Sequence, residues 1–275
     1  MSHAHAIADA GFIEAALNYA VRTGAKPVSE TYGKGGLERR YTGTFEKHVV
    51  AVHDARPARA GLALDINGFE LADHPTRMTS FFDPDAIAKI YYPEMEKLIA
   101  ERSGAARVHV FDHTLRSGDE GERAERKIRE PVMAVHNDYT EWSGPQRVRD
   151  LLPAEAEALI KRRFAIVQVW RAIAEPIARD PLAIADARSI AFSDFIAAER
   201  RFPDRVGEIY QLAFNPAHRW FWFPRMRRDE ALVFKVYDSD KSRARFSAHT
   251  SFALPDAPAD APPRQSIEIR AFAFF

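Results

Sequence analysis

The second half of the chain consists of short strand-like segments that follow one another without regularly spaced helices between them. Apolar residues within these segments alternate with polar ones or run continuously, and turn-forming residues separate the segments. Strands alternating with helices would predict a parallel sheet, whereas successive short strands predict an antiparallel sandwich or barrel of the jelly-roll type. The segments span residues 164–173, 182–190, 208–214, 220–223, 231–237 and 267–274.

Helices are predicted mainly ahead of this region. Apolar residues recur near helical spacing over 7–24, 84–102 and 145–161. The almost entirely polar stretch 117–130 is instead predicted to be a solvated loop that could cover a site. We therefore expect a mainly β fold with flanking helices.

The length of the chain suits a single domain, residues 1–275, with a sizeable core. Within it we expect residues 106–275 to form the jelly-roll core and residues 1–105 to form a helix-rich N-terminal elaboration.

The chemistry open to this chain is limited by the absence of cysteine. Disulfides, thiolate zinc sites, iron–sulfur clusters and a cysteine nucleophile are excluded, so any metal must be bound by His, Asp or Glu. Lys plus Arg and Asp plus Glu both number 39, and this balance predicts no nucleic-acid partner. No apolar run approaches the ~20 residues of a membrane span, and the N-terminus lacks signal-peptide features, so we expect a cytoplasmic protein without membrane contact.

One histidine, His136, has a carboxylate two positions later, at Asp138. On a strand, residues i and i+2 point to the same face, so this pair could chelate one metal ion. A hydrogen bond between the two at a strand end is the simpler alternative. A second histidine from another strand would complete a facial triad, which leaves positions open on iron(II).

The C-terminal region offers that histidine. His249 follows a buried strand, and Arg264 and Ser266 follow it at the start of the last strand. Arginine can bind a carboxylate through two hydrogen bonds, and serine on the same face can add a third. A surface arginine is the alternative for Arg264, and His218 is the rival for the third ligand position.

The order of these motifs resembles that of 2-oxoglutarate/iron(II) dioxygenases with a double-stranded β-helix, the cupin-like form of jelly roll. More specifically, the chain resembles the CmcJ/AsaB/NvfI-like hydroxylase/desaturase family. Gln168, where we expect asparagine in relatives, and the segment 172–176 depart from the family pattern. The matching stretches are 54–57, 67–69, 91–94, 110–114, 136–140, 169–171, 234–239, 249–252 and 264–270.

The resemblance implies Fe(II) bound by His136, Asp138 and His249, and 2-oxoglutarate whose distal carboxylate contacts Arg264 and Ser266. It also implies oxidative tailoring of a small molecule with O2, by hydroxylation or desaturation, in secondary metabolism. Alternatives are a cupin-like metal enzyme that does not use 2-oxoglutarate, and a non-catalytic small-molecule binding protein. A homodimer is compatible with the sequence.

Four further residues are candidates for the pocket. Gln168 could contact the cosubstrate through its amide. Tyr139 and Trp142 follow the metal motif and could wall the pocket, or could simply pack in the core. Arg171 lies on an apolar strand and would need a carboxylate, either from the substrate or from an internal Asp or Glu.

Overall fold

The computed structural model describes residues 11–32, 38–174, 176–203 and 205–275, which form two facing sheets with a few helices. The strands are β1 Phe12–Ala20, β2 Val28–Tyr32, β3 Glu38–Tyr41, β4 Phe45–Asp54, β5 Phe69–Asp73, β6 Arg107–Ser117, β7 His136–Asn137, β8 Phe164–Ala172, β9 Leu182–Ala185, β10 Phe195–Arg201, β11 Val206–Leu212, β12 Trp220–Trp222, β13 Glu230–Asp238, β14 His249–Ser251 and β15 Gln265–Phe274. The helices are α1 Pro84–Ala86, a π-helical turn Ile87–Tyr91, α2 Tyr92–Ser103, α3 Glu120–Arg126, α4 Ser143–Leu151 and α5 Ala156–Leu159, with single 3-10 turns at Arg59–Gly61, Ala187–Ser189 and Phe192–Asp194.

The sheets contain ten and five strands. Their orders are β1-β4-β12-β9-β14-β7-β11-β10-β2-β3 and β5-β13-β8-β15-β6. All pairs in the smaller sheet are antiparallel, and in the larger sheet only β12–β4 and β10–β2 are parallel among the described strands. The predicted mainly β, jelly-roll architecture is confirmed.

The smaller sheet is covered on both faces, which explains why β8 reads as a continuous apolar run. Ile166 and Trp170 pack between the two sheets, whereas Val167 and Val169 pack on the other face with Met95 and other residues of α2. Residues of β8 separated by an odd number therefore lie in different environments. A polar side chain on the inner face of β8 or β15 points toward the larger sheet.

The helix predicted over residues 7–24 is wrong for its described part. Residues 12–20 form β1, which pairs antiparallel with β4 along its whole length. Ala15, Leu17 and Tyr19 are buried at a spacing of two and pack in a cluster with Trp220. Residues 7–10 lie outside the described residues.

The helix predicted over 84–102 is confirmed, with the π-helical turn in its first half. Asp83 caps its start through two backbone amides, and Gly104, at φ +73°, ends it.

The helix predicted over 145–161 is divided into α4 and α5. The predicted loop 117–130 contains α3, and β2, β3, β10 and β14 are among the strands that were not predicted.

The N-terminal third of the chain completes both sheets. β1 and β4 form one edge of the larger sheet, and β5 forms an edge of the smaller one. The predicted helix-rich character of residues 1–105 is therefore wrong for residues 38–73, where a single 3-10 turn is the only helical element.

None of the helices in the described part of the chain has the length and hydrophobicity that crossing a bilayer requires.

Candidate active site

Strand pairing brings His136 and His249 together in the larger sheet. The two residues are directly opposite each other on β7 and β14, and their ring centroids are 4.4 Å apart. Asp138 follows β7, with Oδ1 3.5 Å from His136 Nε2. One potential ligand atom from each of the three residues lies within 4.8 Å of the others. The structure thus brings the three predicted ligands to one point.

Backbone carbonyls fix the tautomer of both imidazoles. His136 Nδ1 lies 2.8 Å from the carbonyl of Ala134, and His249 Nδ1 lies 3.1 Å from that of Ser247. A carbonyl only accepts, so each Nδ1 must donate and each neutral ring keeps its lone pair on Nε2. Histidines held in this way are typical metal ligands.

Charges within the cluster favour the forms that bind metal. Burial, reinforced by His249, lowers the pKa of His136 to about 3, so the ring is neutral near pH 7. Burial alone would raise the pKa of Asp138, but Arg270 and the two histidines hold it well below its usual range. A carboxylate and two imidazoles fit Fe(II) and leave positions open for other ligands.

The low pKa of His136 predicts an acid-sensitive metal-free protein. Between pH 6.5 and about 3, unfolded His136 binds a proton that the folded side chain does not. The free energy of unfolding should therefore fall as pH decreases through this window, by up to about 1.4 kcal/mol per pH unit from this residue. His136→Asn should reduce the slope, as measured by urea unfolding in a chelator.

At pH 7 to 8 the two proteins should show no difference in slope, which provides the internal control. Parallel stability curves for wild type and variant between pH 6.5 and 4 would contradict the expectation.

The second oxygen of Asp138 is held from the smaller sheet. Gln168 Nε2 donates to Oδ2 at 2.6 Å and Arg270 Nε donates to it at 2.9 Å. Gln168 was predicted to contact the cosubstrate through its amide, and the structure places the amide nitrogen on a candidate metal ligand. Its Oε1 is buried and lacks a hydrogen-bond partner among the described residues.

A second polar cluster surrounds Arg264, which is 3% exposed. Its Nη1 donates to the Asp180 carbonyl at 2.7 Å and to Ser251 Oγ at 2.9 Å. Three buried atoms here have no hydrogen-bond partner in the part of the chain that is described: Arg264 Nε, Ser266 Oγ and Trp170 Nε1. Unsatisfied buried donors are costly, so their clustering fits an absent ligand that supplies acceptor oxygens.

The charge at this cluster also fits an anion. Arg264 lies with its guanidinium carbon 5.4 Å from the Trp170 ring. Burial and the nearby Arg116 lower the pKa of Arg264 to about 9, which keeps it cationic at pH 7. Arg116 pairs across the ladder with Ser266 and donates to the Glu130 carbonyl at 2.9 Å. A carboxylate of 2-oxoglutarate matches this donor set.

The other candidates lie in different places. Tyr139 is half-buried against the core between the sheets, and burial raises its pKa to about 12. Trp142 is 51% exposed and lines a surface groove with Arg147 and Val206. His218 contacts Asp194 and Tyr19, so the rival third ligand is away from the cluster.

The predicted substrate contact of Arg171 does not agree with its position in the structure. Arg171 is on the helix-covered face of β8 and donates to the carbonyls of His74 and Arg228 and to the Tyr91 hydroxyl. No carboxylate among the described residues is a hydrogen-bond partner of Arg171, and its place on the face of β8 opposite Gln168 does not fit the predicted substrate contact.

Sequence reasoning missed Arg270 and Arg116. Arg270 is six residues after Arg264, which directly precedes β15, so alternation alone would have placed both on the same inner face. Arg116 gave no comparable signal, because its position depends on the pairing of β6 with β15.

An antiparallel jelly roll that carries a His-x-Asp pair and a second His is typical of mononuclear non-haem iron oxygenases. The family described as “YDMC: Oxidoreductase/YMDC permease-like domain” matches residues 17–274. The “Fe(II)/2-oxoglutarate-dependent dioxygenase nvfI” of Aspergillus novofumigatus is 33% identical over 235 residues, 82% of this chain and 83% of that protein. The “Hydroxylase/desaturase CTB9” of Cercospora beticola is 33% identical over 266 residues, 88% and 80% of the two chains.

A solved structure has the same fold as this chain. The “iron and alpha-ketoglutarate-dependent endoperoxidase NvfI” superposes with a TM-score of 0.83 at 28% identity, covering 96% of this chain and 98% of that one. The chain therefore belongs to the family of Fe(II)/2-oxoglutarate-dependent dioxygenases and hydroxylase/desaturases that contains these proteins. The predicted enzyme class, Fe(II) and 2-oxoglutarate as cofactors, and a small-molecule substrate with O2 are confirmed.

Proposed function

We propose that the chain hydroxylates or desaturates a small organic molecule in secondary metabolism, with Fe(II) held by His136, Asp138 and His249. The convergence of three ligand atoms within 4.8 Å of one another carries the proposal. Bound Fe(II), 2-oxoglutarate and O2 supply the oxidising power that removes hydrogen from a substrate carbon, with 2-oxoglutarate converted to succinate and carbon dioxide.

The cosubstrate lies between the two polar clusters in this proposal. Arg264 and Ser266 bind its distal carboxylate, and Arg116 adds a second positive charge. The unpaired buried donors around Trp170 support this assignment. Gln168 keeps Asp138 in place through its Nε2, and its Oε1, unpaired among the described residues, is the atom left for the contact with the cosubstrate.

In the same proposal Tyr139 walls the substrate side of the pocket, and Trp142 walls the surface groove that it lines with Arg147 and Val206. The position of Tyr139 supports this role, because it directly follows the candidate ligand Asp138 and packs against the core between the sheets. The high pKa of Tyr139 keeps the phenol protonated near pH 7, so it acts as a hydrogen-bond donor rather than as a base. The whole chain acts as one catalytic domain, and its balanced charge supports a small-molecule substrate rather than a nucleic acid.

The proposal predicts a visible charge-transfer band when Fe(II) and 2-oxoglutarate are added together without oxygen. The band requires a cosubstrate that chelates iron, so Fe(II) alone or 2-oxoglutarate alone should give none. Admission of O2 should bleach the band and release succinate, measured by chromatography.

Metal binding without any cosubstrate effect would instead indicate a cupin-like enzyme that does not use 2-oxoglutarate. A protein that binds neither would indicate a non-catalytic binding protein.

A further inference from the structure

Arg270 lies directly behind the candidate ligand Asp138. Its Nε donates to Asp138 Oδ2 at 2.9 Å, and Gln168 Nε2 donates to the same oxygen at 2.6 Å. Asp138 Oδ1 is the oxygen nearest the imidazole of His136, at 3.5 Å from Nε2. The two oxygens of Asp138 thus have different surroundings. Oδ2 accepts two hydrogen bonds from the smaller sheet, whereas Oδ1 faces His136.

The sheet fixes Arg270 in this position. Arg270 is paired with Gln168 on β8 and with Asp112 on β6, so the three side chains form one row across three strands. Its Nη1 donates to Asp112 Oδ2 at 3.3 Å and to Thr114 Oγ1 at 3.1 Å, and its Nη2 contacts Glu268. Every nitrogen of the guanidinium has a partner, so the side chain has no freedom to turn away.

Glu268 offsets the positive charge that Arg270 places beside the candidate metal site. A lone cation next to Asp138 would repel a divalent ion. Glu268, which is buried, and Asp112 both contact Arg270, so three carboxylates surround one guanidinium. These carboxylates offset the positive charge that the guanidinium places beside the site.

We infer that Arg270 is a positioning residue that, with Gln168, restricts Asp138 to binding metal through Oδ1 alone. The inference rests on the metal site of the proposed function. A carboxylate that bound through both oxygens would occupy a further position on the metal. Holding Oδ2 in the sheet keeps that position available for cosubstrate and O2.

The test uses Co(II) as the probe, because its visible d–d bands report the number of ligands independently of turnover. Arg270→Gln should weaken Co(II) binding by about 10- to 100-fold and change the bands. Arg270→Lys should recover part of the affinity because it restores a charged donor. Glu268→Gln should weaken binding by leaving the guanidinium charge without its buried partner.

Arg56→Gln is the matched control, since Arg56 also donates to a buried carboxylate, that of Glu230, at 2.7 and 2.9 Å, but lies outside the metal cluster. It should bind Co(II) with wild-type affinity and unchanged bands. Thermal unfolding of each variant separates a changed site from a damaged fold. Should Arg270→Gln fail to fold, Gln168→Met removes the other donor to Oδ2 and should produce a smaller change in the same direction.

The outcomes separate the two levels of the proposal. Wild-type protein that binds no Co(II) would contradict the metal site itself. Wild-type protein that binds Co(II), together with a folded Arg270→Gln or Gln168→Met variant of equal affinity and identical bands, would overturn the positioning role and leave the metal site intact.

Discussion

Asp138→Ala is expected to yield a folded protein that no longer retains Fe(II). Asp138 is the only carboxylate in the His136, Asp138 and His249 cluster, so its loss leaves two neutral imidazoles and no negative ligand. Arg270 would then face the site without the oxygen it now contacts at 2.9 Å, and its charge would oppose a divalent ion. The loss should exceed the roughly 100-fold associated with removing a residue that only contacts a ligand.

The fold should survive this substitution because Arg270 keeps Glu268, Asp112 and Thr114 as partners. Iron content after anaerobic loading and desalting gives the result directly, and thermal unfolding checks the fold.

Asp194→Asn is a suitable control for Asp138→Ala. Asp194 accepts from His218 at 3.1 Å in a His–Asp pair outside the cluster, so its replacement should leave one equivalent of iron bound. An Asp138→Ala protein that still held one equivalent of iron would show that the site lies elsewhere.

Arg264→Ala is expected to weaken 2-oxoglutarate binding by about 10- to 100-fold while iron retention stays unchanged. A charge-assisted hydrogen bond contributes about 1.5–3 kcal/mol, and the substitution removes the guanidinium proposed to bind the distal carboxylate. The Arg264 side chain contacts Asp180 and Ser251 rather than any candidate metal ligand, so the metal and cosubstrate effects should separate.

The measurement for Arg264→Ala is an anaerobic titration of Fe(II)-loaded protein with 2-oxoglutarate, followed through the visible band. Arg264→Lys should be intermediate, because lysine keeps the charge but not the planar pair of donors. Arg171→Lys is the matched control, since Arg171 is equally buried on the opposite face of β8. Wild-type cosubstrate affinity in Arg264→Ala would rule out the predicted carboxylate contact.

The parts of the site that sequence could predict are those set by local spacing. His136 and Asp138 are two residues apart, and a strand places such residues on one face. His249 was favoured over His218 because Arg264 and the last strand follow it. Both preferences agree with where the structure puts these side chains, although their roles as ligands stay predictions.

The same parity rule, applied consistently, would have separated Gln168 from Arg171. The two residues are three apart on one strand and must point to opposite faces. The structure places Gln168 against Asp138 and Arg171 against Tyr91. The role of Arg270 was beyond prediction, because it depends on its pairing with Gln168 across strands that are distant in sequence.

Strand β1, which was predicted to be a helix, shows a different limit of prediction from sequence. Phe12, Ala16 and Leu17 fit helical spacing, yet Leu17 and Tyr19 are buried as members of a strand. Pairing with β4 decides between the two, and a short segment contains no information about a partner more than twenty residues away. β7, with two residues, is too short to give any periodic signal.

The direct pairing of His136 with His249 has a consequence for how such an enzyme can diversify. The pairing of β7 with β14 orients both imidazoles. A shift of this pairing by one residue would turn a side chain to the opposite face of the sheet. Adding or deleting a single residue within β14 would therefore be far more damaging than exchanging a neighbouring side chain. Lineages of this fold are expected to acquire new substrates through changes of length in the connections beyond these strands, while the spacing inside them stays constant.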